Sequence, residues 1–162
     1  MPITPLHLGI GSCCKAIGQQ RFSMMIFAGT QFLMDIEPLL GLIYGWQYLH
    51  LYTHNLMGAT LIGSIALLIG KPISQWLLRS ILNDRNWSIS WRTAAISAYI
   101  GSFSHIFLDA FMHHDVYWFY PWILKNPLLG LVPYSVIFYS CICAILVGGF
   151  AWFYLCKSKN ES

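Results

Sequence analysis

Six histidines and four of the six acids carry the chemical content of this 162-residue chain. His105, Asp109 and His113 stand at i, i+4 and i+8, which places all three on one face of a helix. His50 and His54 repeat the four-residue step at the start of another apolar segment, and Asp35 and Glu37 close an earlier one. His7 lies in a short apolar stretch near the N-terminus, and Asp115 directly follows His114. Mixed imidazole and carboxylate donors suit Zn2+, and Mn2+ or Fe would accept the same set. His7, Asp35, His54, His105, Asp109 and His113 form the candidate ligand set, enough for two ions. His50 and His114 are alternative ligands or partners that orient one; each alone also reads as a helix–helix hydrogen-bonding residue. Asp84 and Glu161 stand apart.

The elements that must position these groups belong in lipid. The chain is 57% hydrophobic and only 9% charged, with mean hydropathy +0.58, against about a quarter charged in a soluble domain. Four apolar spans can be read. They cover residues 22–42, interrupted by Asp35, Glu37 and Pro38; residues 55–70, ended by Lys71-Pro72; residues 93–112; and the 31 uncharged residues between Lys125 and Lys157. About 20 apolar residues cross the hydrocarbon core, and with no alternating barrel pattern only helices satisfy the backbone there. The fold class is therefore all-α: a polytopic membrane bundle of four transmembrane helices. A short N-terminal helix before the Gly18 to Arg21 turn is expected to pack back on the first span as a hairpin. Residues 1–156 form one membrane-embedded domain, and residues 157–162 a polar, frayed tail.

Charge gives the orientation. Lys15, Arg21, Lys71, Arg79, Arg85, Arg92, Lys157 and Lys159 share one side if four helices alternate, and Lys125 alone takes the other. The positive-inside rule puts the first side, with the C-terminus and the 73–91 loop, in the cytoplasm. Asp35, Glu37, His50, His54, Asp109 and His113 then converge at the outer end, and the N-terminal hairpin adds His7. Ionisable groups in a membrane are functional candidates unless paired or hydrated. The net charge of +3 is small and flanks helices, so no nucleic-acid binding is evident. Five cysteines (Cys13, Cys14, Cys141, Cys143, Cys156) form no metal-site spacing and read as small apolar helix residues. No cleaved signal peptide is expected at the N-terminus.

At these residues the chain resembles the bacterial membrane-bound metal-dependent hydrolase family (YdjM-type), also described as LexA-binding inner-membrane-associated hydrolases. The resemblance rests on Thr4-Pro5-Leu6-His7-Leu8-Gly9, Asp35-Ile36-Glu37-Pro38, His50-Leu51-Tyr52-Thr53-His54, Ser104-His105-Ile106-Phe107-Leu108-Asp109 and Asn126-Pro127-Leu128-Leu129-Gly130. It departs at Leu51, where the pattern has an arginine. More distantly, the order of ligands is similar to the zinc-dependent phospholipase C and P1 nuclease group, without that group's N-terminal tryptophan ligand. The resemblance implies phosphoester hydrolysis, with His7, Asp35, His54, His105, Asp109 and His113 or His114 as ligands.

The expected function is a metal-dependent hydrolase of phosphoesters in a lipid or lipid-like amphiphile, at the outer face of a bacterial inner membrane. Two metals would polarise the phosphoryl oxygens and lower a bridging water's pKa to about 7, supplying hydroxide for in-line attack. Glu37 or Asp115 would position the water or serve as general acid or base; each also reads as an interfacial or loop-capping acid. Lys125 would hold a phosphate or snorkel at the interface. Two rival classes stand beside this one. A metal-ion transporter or channel would need polar groups through the whole membrane thickness, and here they gather at one end. A structural or regulatory protein would use the metal to staple short helices, with a soluble partner at residues 73–91.

Overall fold

The computed structural model describes residues 4–160, which among them contain helices and loops and no strand. In chain order the helices are α1 (Thr4–Gly18), α2 (Met24–Met34), α3 (Ile36–Tyr44), α4 (Leu56–Leu82), α5 (Trp91–Met112) and α6 (Tyr134–Asn160). Helices α2 and α3 are one apolar span broken at Asp35, the interruption that its acids and Pro38 predict. With them counted together, four segments are long and apolar enough to cross a membrane: Met24–Tyr44, Leu56–Leu82, Trp91–Met112 and Tyr134–Ser158. Polar caps begin the helices where lipid could not. Ser23, Asn55 and Ser90 accept the N–H groups of Ile26, Gly58 and Thr93, each satisfying a donor that has no partner within its helix.

Helix α5 is the centre. Its buried residues form two rows at four-residue steps, Thr93-Ser97-Gly101-His105-Asp109 and Ala94-Ala98-Ser102-Ile106-Ala110. Small side chains let α2 and α4 close on both rows, as helices in lipid require. A Cβ on Gly101 would lie 2.9 Å from the Thr30 Cβ of α2, so only glycine permits that approach. Large apolar side chains such as Leu61, Leu68, Val147 and Phe150 point outward, where lipid is the solvent.

Three expectations need refinement. Helix α1 does turn back on α2, where a Cβ on Gly11 would lie 2.5 Å from the Phe27 ring, but it packs mainly on α6. Ser12 Oγ donates to the Ile145 carbonyl, Cys13 Sγ to that of Ala144, and a Cβ on Gly148 would strike the Cys13 nitrogen at 2.6 Å. Small residues on both helices make that interface the tight one. Helix α4 does not end at Pro72 but runs to Leu82, so residues 73–82 are helix and only 83–90 connect. Gln75 accepts from the Ile89 N–H, Arg79 donates to the Trp87 carbonyl, and Lys71 lies 4.5 Å over the Trp91 ring. These contacts tie the turns beyond the proline to the chain entering α5. Finally, α6 extends to Asn160, so the helix takes in residues 157–160 of the expected tail; Glu161 and Ser162 lie outside the described residues.

Candidate metal centre

Asp109 is the hub. It is fully buried on α5 beside equally buried His105 and His54. Its Oδ2 lies 3.3 Å from His54 Nε2 and 3.1 Å from His105 Nε2. Its Oδ1 lies 3.4 Å from His7 Nε2 and 3.9 Å from His113 Nε2. Asp35, at the break between α2 and α3, approaches His105 Nε2 at 3.4 Å. One carboxylate thus has a different pair of imidazoles on each oxygen. All six residues of the sequence-derived ligand set converge here, from α1, the α2–α3 break, the loop before α4, α5 and its C-cap. His50 joins them: His50, Asp109 and His113 offer ligand atoms within 4.8 Å of one another, as do His7, His105 and Asp109, and Asp35, His54 and His105. The His50 and His113 rings stack at 4.1 Å.

The arrangement fits a cation. Among the described residues, His50 Nε2, His54 Nε2, His105 Nε2 and both Asp109 oxygens are buried and make no hydrogen bond. Leaving a buried polar atom unsatisfied costs about 1–3 kcal/mol, more when it is charged. Atoms that approach each other without hydrogen-bond geometry, with lone pairs turned to a shared space, are what metal ligands look like. Burial also pushes the His113 imidazole down to about 4, against the pull of Asp109, so it is neutral at physiological pH. Neutral imidazole is the ligand form.

Three imidazoles have their other nitrogen held by oxygen. Gln31 Oε1 accepts from His105 Nδ1, while Gln31 Nε2 donates to the Gly101 carbonyl. Asp115 Oδ1 accepts from His50 Nδ1 at 3.0 Å. Thr53 Oγ1 lies 2.9 Å from His54 Nδ1 and donates onward to Glu37 at 2.6 Å. Each pairing puts the proton on Nδ1 and turns the Nε2 lone pair to the centre, the outer arrangement that orients metal-bound histidines.

The loop that carries His50 and His54 owes its shape to two remote carboxylates. Asp115 accepts the N–H groups of Leu49 and His50, and Glu37 those of Leu51, Tyr52 and Thr53, at 2.6–3.1 Å. Five consecutive backbone donors are therefore spent on acids, and His50 and His54 occupy a bent loop and not the first turn of α4, as their spacing had suggested. Burial alone would raise the Asp115 carboxyl, but His50 and the Leu49 and His50 amides hold it well below the ordinary carboxylate range. Glu37 and Asp115, each expected to position the water or serve as general acid or base, thus have their oxygens committed to building the loop. His114 and Lys125 are exposed, and His114 belongs to none of the ligand groups.

Sequence reasoning missed Gln31 and Thr53. The four-residue step from Gln31 to Asp35 in an apolar span was the available signal for the first. It also left Asn126 without a task; its Nδ2 donates to the Ala110 and His113 carbonyls at 2.7 and 2.9 Å, pinning the end of α5 at the centre.

A family described as YdjM inner membrane protein has a sequence model that matches residues 6–161. The chain belongs to this family. The family and the four apolar helices make it a membrane protein. No curated protein and no solved structure matches the chain, so the more distant resemblance to the phospholipase C and P1 nuclease group finds no support.

Proposed function

We propose that this family member is a metal-dependent hydrolase of phosphoesters in lipid or lipid-like amphiphiles, holding two divalent ions, Zn2+ by donor type. The observation that carries the reading is Asp109, whose two oxygens face separate imidazole pairs as a bridging carboxylate does. Asp35, His54 and His105 would serve the Oδ2 side, and His7, His113 and His50 the Oδ1 side. Bound there, a divalent metal supplies Lewis acidity and lowers the pKa of a water to about 7.

The chain's own residues do the rest. Gln31, Thr53–Glu37 and Asp115 keep the lone pairs aimed, and the buried imidazoles exclude bulk water. Asp35 and His113, at 12% and 16% side-chain exposure, are the more accessible edge of an otherwise closed cluster. The lysines and arginines at the ends away from the cluster favour a cytoplasmic C-terminus and a centre on the periplasmic side of the inner membrane. Tight packing beneath the centre supports a pocket over an ion conduit: Gln31, Thr30, Ser97 and Gly101 are buried, and Gln31 bonds the Gly101 carbonyl.

Metal content and hydrolysis test this together. Purified protein is expected to carry two Zn2+ per chain and to release phosphate, or a phosphorylated headgroup, from one of a panel of phospholipids. His54→Ala should lose metal and turnover together. Full metal content in His54→Ala would remove the ligand assignment. Metal-dependent ion flux into liposomes without hydrolysis would replace the enzyme by a transporter.

A further inference from the structure

An apolar groove lies between α5 and α6, with α1 as its floor. Ile10, Leu108, Phe111, Val136, Ile137 and Ala144 are among its walls, and its cavity measures about 270 Å³. That is close to the lower end of small-molecule sites, about 300–1,000 Å³. The groove is open to the lipid side at Val136 and Ser140, both exposed. On its inner side Ile137 and Cys141 also line a narrow cleft of about 10 Å³, shared with Met112, Tyr134 and His7. His7 is the same imidazole that faces Asp109 Oδ1 at 3.4 Å.

The depth order is that of a lipid. His7, Met112 and the exposed Tyr134 lie at the level of the metal centre, where α5 ends and α6 begins. Leu108 lies one turn deeper on α5 and Ile10 nearly one turn deeper on α1. From Ile137 to Ala144 the groove follows α6 for roughly 10 Å toward the middle of the span, at 1.5 Å per residue. Polar ligands cluster at the boundary end, and apolar walls continue from them inward.

We infer that this groove seats one acyl chain of a membrane lipid of the same leaflet and so presents the lipid's phosphoester end to the metal centre beside His7. The inference rests on the hydrolase reading for its purpose, but occupancy of the groove does not depend on turnover. A groove between packed helices gains little hydrophobic energy over bilayer; its effect is alignment, which makes an amphiphile with a long straight tail a better substrate than a soluble phosphoester.

The test uses the full chain in nanodiscs with a phospholipid that carries a photoreactive diazirine near the end of one acyl chain. Crosslinks are expected to concentrate on residues 108–111 and 136–144. Val136→Trp and Ser140→Phe fill the groove from exposed positions, so they leave the fold and metal content intact and should reduce those crosslinks severalfold. Crosslinks spread evenly over the lipid-facing sides of α4 and α6, or unchanged by both fillings in protein that retains its metal, would overturn the inference. Groove crosslinks that both fillings abolish, in a protein that hydrolyses no lipid of the panel, would uphold the groove and discard the hydrolase.

Discussion

Helices α5 and α6 are both long, apolar and able to span a membrane, yet they are put to opposite uses. Helix α5 buries ten residues in two rows between α2 and α4, and one row ends in His105 and Asp109. Among the described residues, helix α6 buries Ile137, Cys141 and Gly148 alone, packs almost solely on α1, and gives the centre no ligand. Helix α6 is the more apolar of the two, with a mean hydropathy of 2.2 against 1.2, and it also has fewer helices around it. A charged carboxylate survives inside a membrane only where other protein groups replace water, and of these two helices only α5 is enclosed enough for that. Helix α6 instead holds α1, which delivers His7, and leaves a face open to lipid.

The contrast is broken most directly at Asp109. Asp109→Asn keeps the shape of the side chain and removes the charge that gathers His7, His54, His105 and His113. Metal content measured by mass spectrometry after dialysis should collapse. Affinity should fall by more than the about 10–100-fold typical of losing an outer-shell partner. Asp84→Asn, in the exposed α4–α5 connection, should keep its metal. Full occupancy in Asp109→Asn would mean that α5 is no more a ligand scaffold than α6. Glu37→Gln comes next. It turns an amide toward backbone N–H groups that a carboxylate now accepts, loosening residues 51–53 and with them His54. Metal affinity should drop about 10–100-fold, and amides 51–53 should exchange with deuterium faster while those of α5 do not. Unchanged exchange would remove Glu37 as the anchor of this loop.

Much of the site was readable in the chain because its signals are short-range. The four-residue steps at His105, Asp109 and His113 place a helix face, and the alternation of spans brings Asp35 and His54 to the same end. The shape of the 49–53 loop was not readable. Its backbone donors go to Glu37 and Asp115, which are 14–16 and 65–66 residues away, and no local pattern announces such a pairing. The His50–His54 spacing mimics a helix for the same reason. Nor does the chain reveal which long helix will receive α1. Ser12, Cys13, Ala144 and Gly148 are unremarkable small residues until the two helices lie together. Pro72 misleads because the contacts that carry α4 past it come from residues 87–91, beyond the turn.

On the α6 side the expected effects shrink, and they sharpen the contrast by what they spare. Gly148→Leu drives a side chain into the Cys13 backbone, and overpacking of this kind costs about 1–3 kcal/mol. Helix α1 should shift and carry His7 from Asp109 Oδ1, so the ion on that side should weaken while the one beside Asp35, His54 and His105 persists. Titration should resolve one unchanged and one weakened metal. Equal weakening of both would couple the two sides more tightly than Asp109 alone does. The smallest effect belongs to Leu146→Ala. Leu146 lies on the outer face of α6 at 66% exposure, where one apolar contact with lipid replaces another. Its unfolding free energy should differ from the parent's by no more than a surface substitution allows, about ±0.5 kcal/mol, with metal content unchanged. A large loss there would mean that this face is covered by another chain, and α6 would then be no less enclosed than α5.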